Sequence, residues 1–316
     1  MLSRVADSLY WLNRYLERAE HTARLTSVYL DIILDQSSQV GDARYQHFLK
    51  ILELDGEVDG NFTLENLFRL IVLDEANPKS IVSCVNLARE NARQVREQIS
   101  TETWLQINQL YLMMERPSKT LWRQQPQLFM QEMMRNFYLV GGITDATMSH
   151  NEGWQFIRLG NYMERANSLV HLVDTHFQTY TGQDPAAEDY LDWVTLLRSC
   201  TAFEAYCNVY TANLQPARVA EYLLLNSEFP HSLHFSVNMM YQVLQQVAAI
   251  TKTQRNMQLN RQAGRLRSLL RFSQIDEIMA AGLHPFLADV QTQCQQIHES
   301  IYQVYISFPI AEELPV

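Results

Sequence analysis

LSRVADSLYWLNRYLERAEHTA, residues 2–23, places apolar side chains at Leu2, Val5, Leu9, Leu12, Leu16, Ala19 and Ala23, with gaps of 3, 4, 3, 4, 3 and 4. That spacing draws one apolar stripe down a long amphipathic helix. Its small Ala19 and Ala23 leave room for a neighbouring helix to come close, and Ser3 is a candidate N-cap. The same pattern returns at Phe156, Leu159, Met163, Ala166, Val170, Val173 and Phe177. Polar residues return in step with it. Tyr15-Leu16-Glu17-Arg18-Ala19 aligns with Tyr162-Met163-Glu164-Arg165-Ala166 at an offset of 164 − 17 = 147. Apolar periodicity alone would not restore Glu-Arg-Ala in register.

A second pair of segments repeats at nearly the same offset. Leu73, Pro78, Ser80 and Val85-Asn86 match Leu225, Pro230, Ser232 and Val237-Asn238, with 230 − 78 = 152. In both, a Pro is expected to open the first turn of a long helix. Two anchors in one order at nearly one spacing point to an internal duplication. The expected architecture is all-α, with two helical-bundle halves, 1–145 and 146–316, related by an approximate twofold.

Between the anchors the pattern predicts two short helices over 42–73, around Gly56 and Gly60. It predicts further helices over 79–99, 102–115 and 125–140, and then onward to about 305. Gly141-Gly142 and the run Thr144 to Gly153 read as the join between the halves. Gly182, Asp184 and Pro185 end the second repeat helix, and the tail with Pro309 and Pro315 is expected to be loose. No strand alternation is present.

Composition agrees with long helices, since the 316 residues include only ten Gly and nine Pro. The 25 basic residues against 35 acidic ones give a net charge of −10. That balance lacks the positive field that drives non-specific nucleic-acid binding. The lysines are Lys50, Lys79, Lys119 and Lys252, and the other cations are arginines, suited to bidentate pairing with carboxylates. Cys84, Cys200, Cys207 and Cys294 form no CxxC motif and are expected to be reduced, with Cys200 and Cys207 on one helical face. Arg4, Asp7, Arg14 and Glu17 interrupt any signal-like apolar run, and no segment approaches the ~20 apolar residues needed to span a bilayer. The expected location is the cytoplasm, with no membrane association.

Asn13, Glu17, Glu20 and Arg24 form a polar strip beside the first stripe, while Arg18 points nearly opposite it with Arg14 and His21. Two readings of the Glu-Arg pairs stand together. They build a cleft for a charged substrate or partner, for which Glu17, Arg18, Glu20, Arg24, Glu164 and Arg165 are the candidate residues. Alternatively, they are a structural ion-pair network that fixes helix register. Glu20 and Arg24 align with Asn167 and His171, so the strip is not symmetric.

No catalytic residue is assigned, and no cofactor or metal is expected. Of the nine His only His231 has a Glu three residues before it, Glu228, and a di-iron bundle site needs that spacing on two helices, so none is expected. His231 and His234 are expected to be solvated at a helix start. Phosphate-loop, dinucleotide and hydrolase-elbow motifs are absent. Arg255, Arg261, Arg265, Arg267 and Arg271 read as a solvated helix face.

Together these segments resemble the Alpha-E family, a bacterial family of helical proteins named for a Glu-Arg motif. The resemblance is carried by residues 1–20, by Asn77-Pro78 with Ser80-Ile81, and by Ala88 to Arg93. It continues in Thr147 to Trp154, Arg158-Leu159-Gly160 leading to Glu164-Arg165-Ala166, Phe229-Pro230 with Ser232, and Ala263 to Leu266 with Ile275 to Ile278. It implies a setting rather than a chemistry. Such proteins are encoded beside, or fused to, an atypical ATP-grasp protein, often near transglutaminase-like or proteasome-like peptidases. The implied role is partner or accessory subunit of an ATP-grasp peptide-ligase-like enzyme. The alternatives are a stand-alone peptide- or amide-acting enzyme using Glu17 and Glu164, or a purely structural interaction module. Oligomeric state stays open. Asn13 departs from the Gly expected by analogy with Gly160, which predicts a wider helix contact in the first half.

Overall fold

The computed structural model describes residues 1–34, 38–54, 63–115, 121–180, 190–211, 213–251 and 256–307. All regular structure among them is helical. The first stripe lies on α1 (Ser3–Leu34) and the second on α8 (Glu152–Tyr180). Leu2 is 77% exposed, and full burial of the stripe begins at Leu9. The Leu2 carbonyl accepts the first helical bond, from Ala6 N–H, so Ser3 is the first helical residue and not the cap.

The chain between them forms α2 (Ser38–Ile51) and α3 (Leu64–Phe68), which runs on into a π-helical turn at Arg69–Leu73. Gly56 and Gly60 lie outside the described residues. Next come α4 (Ile81–Gln94), α5 (Thr101–Glu115), α6 (Leu121–Gln124) and α7 (Pro126–Thr147). After α8 come α9 (Tyr190–Ser199), α10 (Phe203–Tyr210), α11 (Pro216–Leu225) and α12 (Leu233–Thr251). The described chain ends with α13 (Met257–Phe272), α14 (Ile275–Ala281) and α15 (Leu283–Ile301), followed by a π-helical turn at Tyr302–Ile306. Gly182, Asp184, Pro185, Pro309 and Pro315 are outside the described residues.

Helices α1, α4, α5 and α7 pack in a closed ring, each on the next, and α8, α12, α13 and α15 close a second ring in the same order. The two rings share one wall, where α1 lies along α8. Bonded partners across that wall climb together, from Met1–Glu152 through Arg14–Glu164 to Glu17–Arg165. The two helices are therefore parallel. One apolar cluster runs through both rings, from Leu9 and Leu12 to Val290 and Ile297. No helix among the described residues is long and apolar enough to cross a membrane.

Local sequence sets the helix starts. Ser80 Oγ accepts the Ser83 N–H at 3.2 Å, and Ser232 Oγ accepts the Phe235 N–H at 3.0 Å. Each serine caps its helix. Pro78 and Pro230 therefore stand in the turn before the cap, not in the first helical turn.

Gly141-Gly142 is no join. Both glycines lie inside α7, and a Cβ on either would meet nothing within 4 Å. The helix continues because Val140 and Thr144 are buried on its other face. The break between α7 and α8 comes at residues 148–151. Cys200 and Cys207 do not share a helix face, since Thr201 at φ 53° and Ala202 separate α9 from α10. All four cysteines are free thiols, three of them buried.

Candidate functional site

Where α1 meets α8, the stripes leave Glu17 and Glu164 inside the contact, at 2% and 4% exposure. A buried carboxylate must be paired or protonated, and here both are paired crosswise. Arg165 Nε donates to Glu17 Oε1 at 2.6 Å and Nη2 to Oε2 at 2.8 Å. Arg18 Nε donates to Glu164 Oε1 at 2.6 Å. Each helix thus gives its glutamate to the other helix's arginine. Arg14 adds a further pair, with Nε and Nη2 each 2.8 Å from Glu164 Oε2. Asn161 Nδ2 donates to Glu17 Oε2, and Arg165 Nη1 to the Pro230 carbonyl at 3.2 Å.

Glu20 and Arg24 extend the seam. Arg24 Nη1 donates to Glu20 Oε1 and Nε to the Ser199 carbonyl, both at 2.9 Å. All six residues singled out in the sequence therefore lie along one charged seam. Sequence reasoning misses the pairing of Arg14, whose i,i+4 relation to Arg18 is its only signal. It also misses the aromatic backing. The Arg14 guanidinium lies 4.5 Å from the Trp11 ring centre, and the Tyr10 hydroxyl lies 2.9 Å from His298 Nδ1.

Electrostatics follow from burial and pairing. Burial alone pushes the Glu164 carboxyl upward, but Arg14 and Arg18 outweigh it and hold the group below the ordinary carboxylate range. Glu20 goes the other way. Burial and the nearby Glu17 charge raise it, with Arg24 and Arg165 only partly opposing. Burial, helped by Arg24, presses His21 down to about 3. His231, expected to be solvated, is half-buried against the seam, where burial and then Arg165 lower it. His234 Nδ1 lies 3.0 Å from the Leu225 carbonyl.

The seam has two unlike sides. Beside Arg165, the space among Glu17, His21, Arg24, Ser199 and His231 is only about 10 Å³. Arg165 and His231 also border a larger hollow of about 390 Å³, which they line with Asn13, Glu20 and Tyr138. Beside Arg18, a cavity of about 270 Å³ opens between α1, the Ile51–Leu54 turn and α8. No group of three or more potential metal ligands occurs among the described residues. Arg261, Arg265 and Arg271 are exposed on α13, Arg267 bonds Asn238, and Arg255 is outside the described residues.

The observation that decides the family is that residues 1–306 of this chain match a family described as "a predicted alpha-helical domain with a conserved ER motif". The chain belongs to the Alpha-E family. Uncharacterized proteins of Mycobacterium bovis and Mycobacterium tuberculosis are 25% identical to it over 326 residues. A further uncharacterized Mycobacterium tuberculosis protein is 24% identical over the same length. These alignments cover 95% of this Alpha-E chain but only 36% of each relative, so the chain spans about a third of their length. No solved structure matches it.

Proposed function

We propose that this Alpha-E chain is a helical partner of an ATP-grasp peptide-ligase-like protein in a cytoplasmic peptide synthesis or modification system. It would lend a charged cleft or docking surface to that enzyme. One observation carries this reading: nearly the whole chain recurs as a segment of much longer relatives, at 95% of this chain and 36% of theirs. A unit that is joined to a larger protein in one lineage commonly meets that protein as a separate chain in another. A transglutaminase-like protein is the second candidate partner.

The geometry favours a partner over a stand-alone enzyme. A general acid at neutral pH needs a carboxyl raised toward the working pH, whereas Glu164 is held low by two guanidiniums. To test the proposal, the purified chain is titrated with the ATP-grasp protein encoded nearest to its gene, by calorimetry and size exclusion. A stoichiometric complex is expected. Absence of any complex at about 100 μM, where even weak transient partners associate, would refute the proposal.

The same reading takes the chain as a doubled ancestral unit, with halves 1–145 and 146–316. It is supported by two rings closed in the same order, matching serine caps, and crossed Glu-Arg partners. The Glu-Arg partners across the seam lie 146–150 residues apart, which brackets the repeat offset of 147. A parallel pair related by a twofold requires that agreement.

A further inference from the structure

We propose that the cavity beside Arg18 binds a carboxylate carried on a small apolar group, supplied by a peptide C terminus or by a free acid. This deepens the reading of the seam as a charged cleft, but it does not depend on an ATP-grasp partner.

Arg18 keeps one edge of its guanidinium unspent. It uses Nε on Glu164, while Nη1 and Nη2 have no hydrogen-bond partner among the described residues. Its side chain is 30% exposed and lines the cavity. Glu164 is one carboxylate between two guanidiniums, Arg14 and Arg18, so this cluster carries one surplus positive charge. At the rim, Lys79 is matched by Glu53. One surplus charge with a planar pair of free N–H donors fits a carboxylate in two-point contact. A phosphate dianion would bring more negative charge than the site balances.

The walls specify what carries the carboxylate. Ile51, Leu52, Leu54 and Ile71 form an apolar side. Facing it on α8 are Asn167, Ser168 and His171, spaced to share a helix face with Glu164. His171 Nε2 is buried without a partner, and the side chains of Asn167 and Ser168 make no hydrogen bond among the described residues. Native structures rarely leave several converging polar groups unpaired. At about 270 Å³ the space lies at the small end of ligand sites, suited to one side chain with its carboxylate.

Arg165, in the corresponding dipeptide, spends all three nitrogens on Glu17 and Pro230, beside a space of only about 10 Å³. Arg165 also borders the hollow of about 390 Å³, so what is particular to Arg18 is its free guanidinium edge and not open space as such. At the mouth, Glu53 follows the end of α2 at φ 54°, in the left-handed position where glycine usually terminates a helix. Its neighbours close that turn with Leu54 N–H donating to Leu49 O at 2.8 Å. Strain of this kind gathers at binding sites, and here it sets a carboxylate beside Lys79 and 3.9 Å from His171 Nδ1.

The test is calorimetric titration of the full chain with three probes. These are an acetylated tripeptide ending in Ala-Leu as the free acid, the same peptide as its C-terminal amide, and 4-methylpentanoate. The free-acid peptide is expected to bind about ten- to a hundredfold more tightly than the amide, which is what hydrogen bonds to a charged group supply. Arg18→Gln should abolish that preference. Ser168→Leu, which fills the cavity and leaves every ion pair intact, should abolish binding while the urea midpoint stays near wild type. If 4-methylpentanoate binds as tightly as the peptide, the source is a free acid. If the peptide binds more tightly, the source is a chain end, and either result supports the site. Equal binding of acid and amide, undiminished binding by Ser168→Leu, or no binding of any probe at millimolar concentration overturns the proposal. Because binding is read on this chain alone, failure here leaves the partner complex standing, and loss of that complex leaves this site standing.

Discussion

Replacing Gly160 by alanine is expected to destabilise the protein, although a helical Gly→Ala change ordinarily gains about 1 kcal/mol. An added Cβ at Gly160 would lie 2.1 Å from the Tyr10 carbonyl oxygen on α1 and 3.3 Å from Arg14 Cγ. Cβ contacts under 3.0 Å are essentially never seen, so α1 and α8 must separate locally by about 1 Å. Tyr10 has little freedom to yield. It is fully buried, its ring stacks on His298, and its hydroxyl is bonded there. One helical turn away stand Arg14 and Glu164, so the same displacement stretches their 2.8 Å bonds. Overpacking against backbone costs about 3 kcal/mol, the upper end of the usual range, and a net loss of about 2 kcal/mol results once the propensity gain is subtracted. At about 2 cal/mol/K of unfolding entropy per residue over 316 residues, that corresponds to a fall in Tm of about 3 °C. Gly141→Ala and Gly142→Ala are the controls, with nothing within 4 Å of either new Cβ. Each should gain about 0.5–1 kcal/mol. Urea unfolding followed by circular dichroism measures all three. A Gly160→Ala protein as stable as its Gly141→Ala counterpart would refute backbone contact between α1 and α8.

The seam and the buried histidines give two further predictions. Glu164→Gln leaves Arg14 and Arg18 without their shared counter-charge and should cost about 3–5 kcal/mol. Glu90→Gln breaks the exposed pair with Arg93 and should cost under about 0.5 kcal/mol, so equal urea midpoints for the two variants would contradict a buried network. His47 and His176 face each other with ring centres 5.5 Å apart, and none of their four ring nitrogens has a hydrogen-bond partner among the described residues. Burial lowers His47 to about 4 and lowers His176 as well, so both stay neutral in the folded state. The unfolded chain takes up protons below about 6.5, so stability is complete above that pH and falls as pH drops toward the folded value. Between about pH 7.5 and pH 5 each such histidine removes about 2 kcal/mol. His176→Phe should shrink the difference in urea stability between those conditions by that amount, and an unchanged difference would show that His176 does not titrate as described.

The two long helices are legible in the sequence because their apolar spacing runs unbroken for six intervals, and their mutual register is legible because Glu-Arg-Ala recurs within it. The serine caps are legible as part of a repeat, although the prolines before them suggest the wrong turn. Gly141-Gly142 misleads because glycine pairs resemble loops in composition. Only the structure shows that their side of α7 faces open space, so that absent side chains there break no contact. Nothing in residues 200–202 signals a break, since a non-glycine residue at positive φ leaves no mark in sequence. For the same reason Glu53 gives no signal. A helix start is usually wet, which is why His231 reads as solvated, but here the adjoining seam covers it. The crossed choice of partners also lies beyond periodicity. It depends on the two helices running parallel, and Arg14 joins Glu164 only because of that geometry.

The difference between the two sides of the seam bears on how a doubled unit acquires a function. Under the proposed duplication, Glu20 and Arg24 correspond to Asn167 and His171. On the Arg165 side, Arg24 bonds Glu20 and the Ser199 carbonyl, and its stem helps fill the space that would otherwise remain. On the Arg18 side, the corresponding Asn167 and His171 are shorter and form no such bonds, and the space stays open. Two substitutions thus accompany the difference between an arginine whose nitrogens are all bonded and one with a free edge, while both sides retain the crossed glutamate that fixes register. The structural and functional readings of the Glu-Arg motif then cease to compete. Glu17 with Arg165 holds the helices in place, which keeps Arg18 rigid, and a rigid guanidinium loses less freedom on binding a ligand than a mobile one. His171→Arg, which restores on the Arg18 side the residue type that stands at Arg24 on the Arg165 side, would extend that logic. It should close the cavity and remove carboxylate binding with the fold intact. A His171→Arg variant that binds the free-acid peptide as tightly as wild type would show that the asymmetry has another origin.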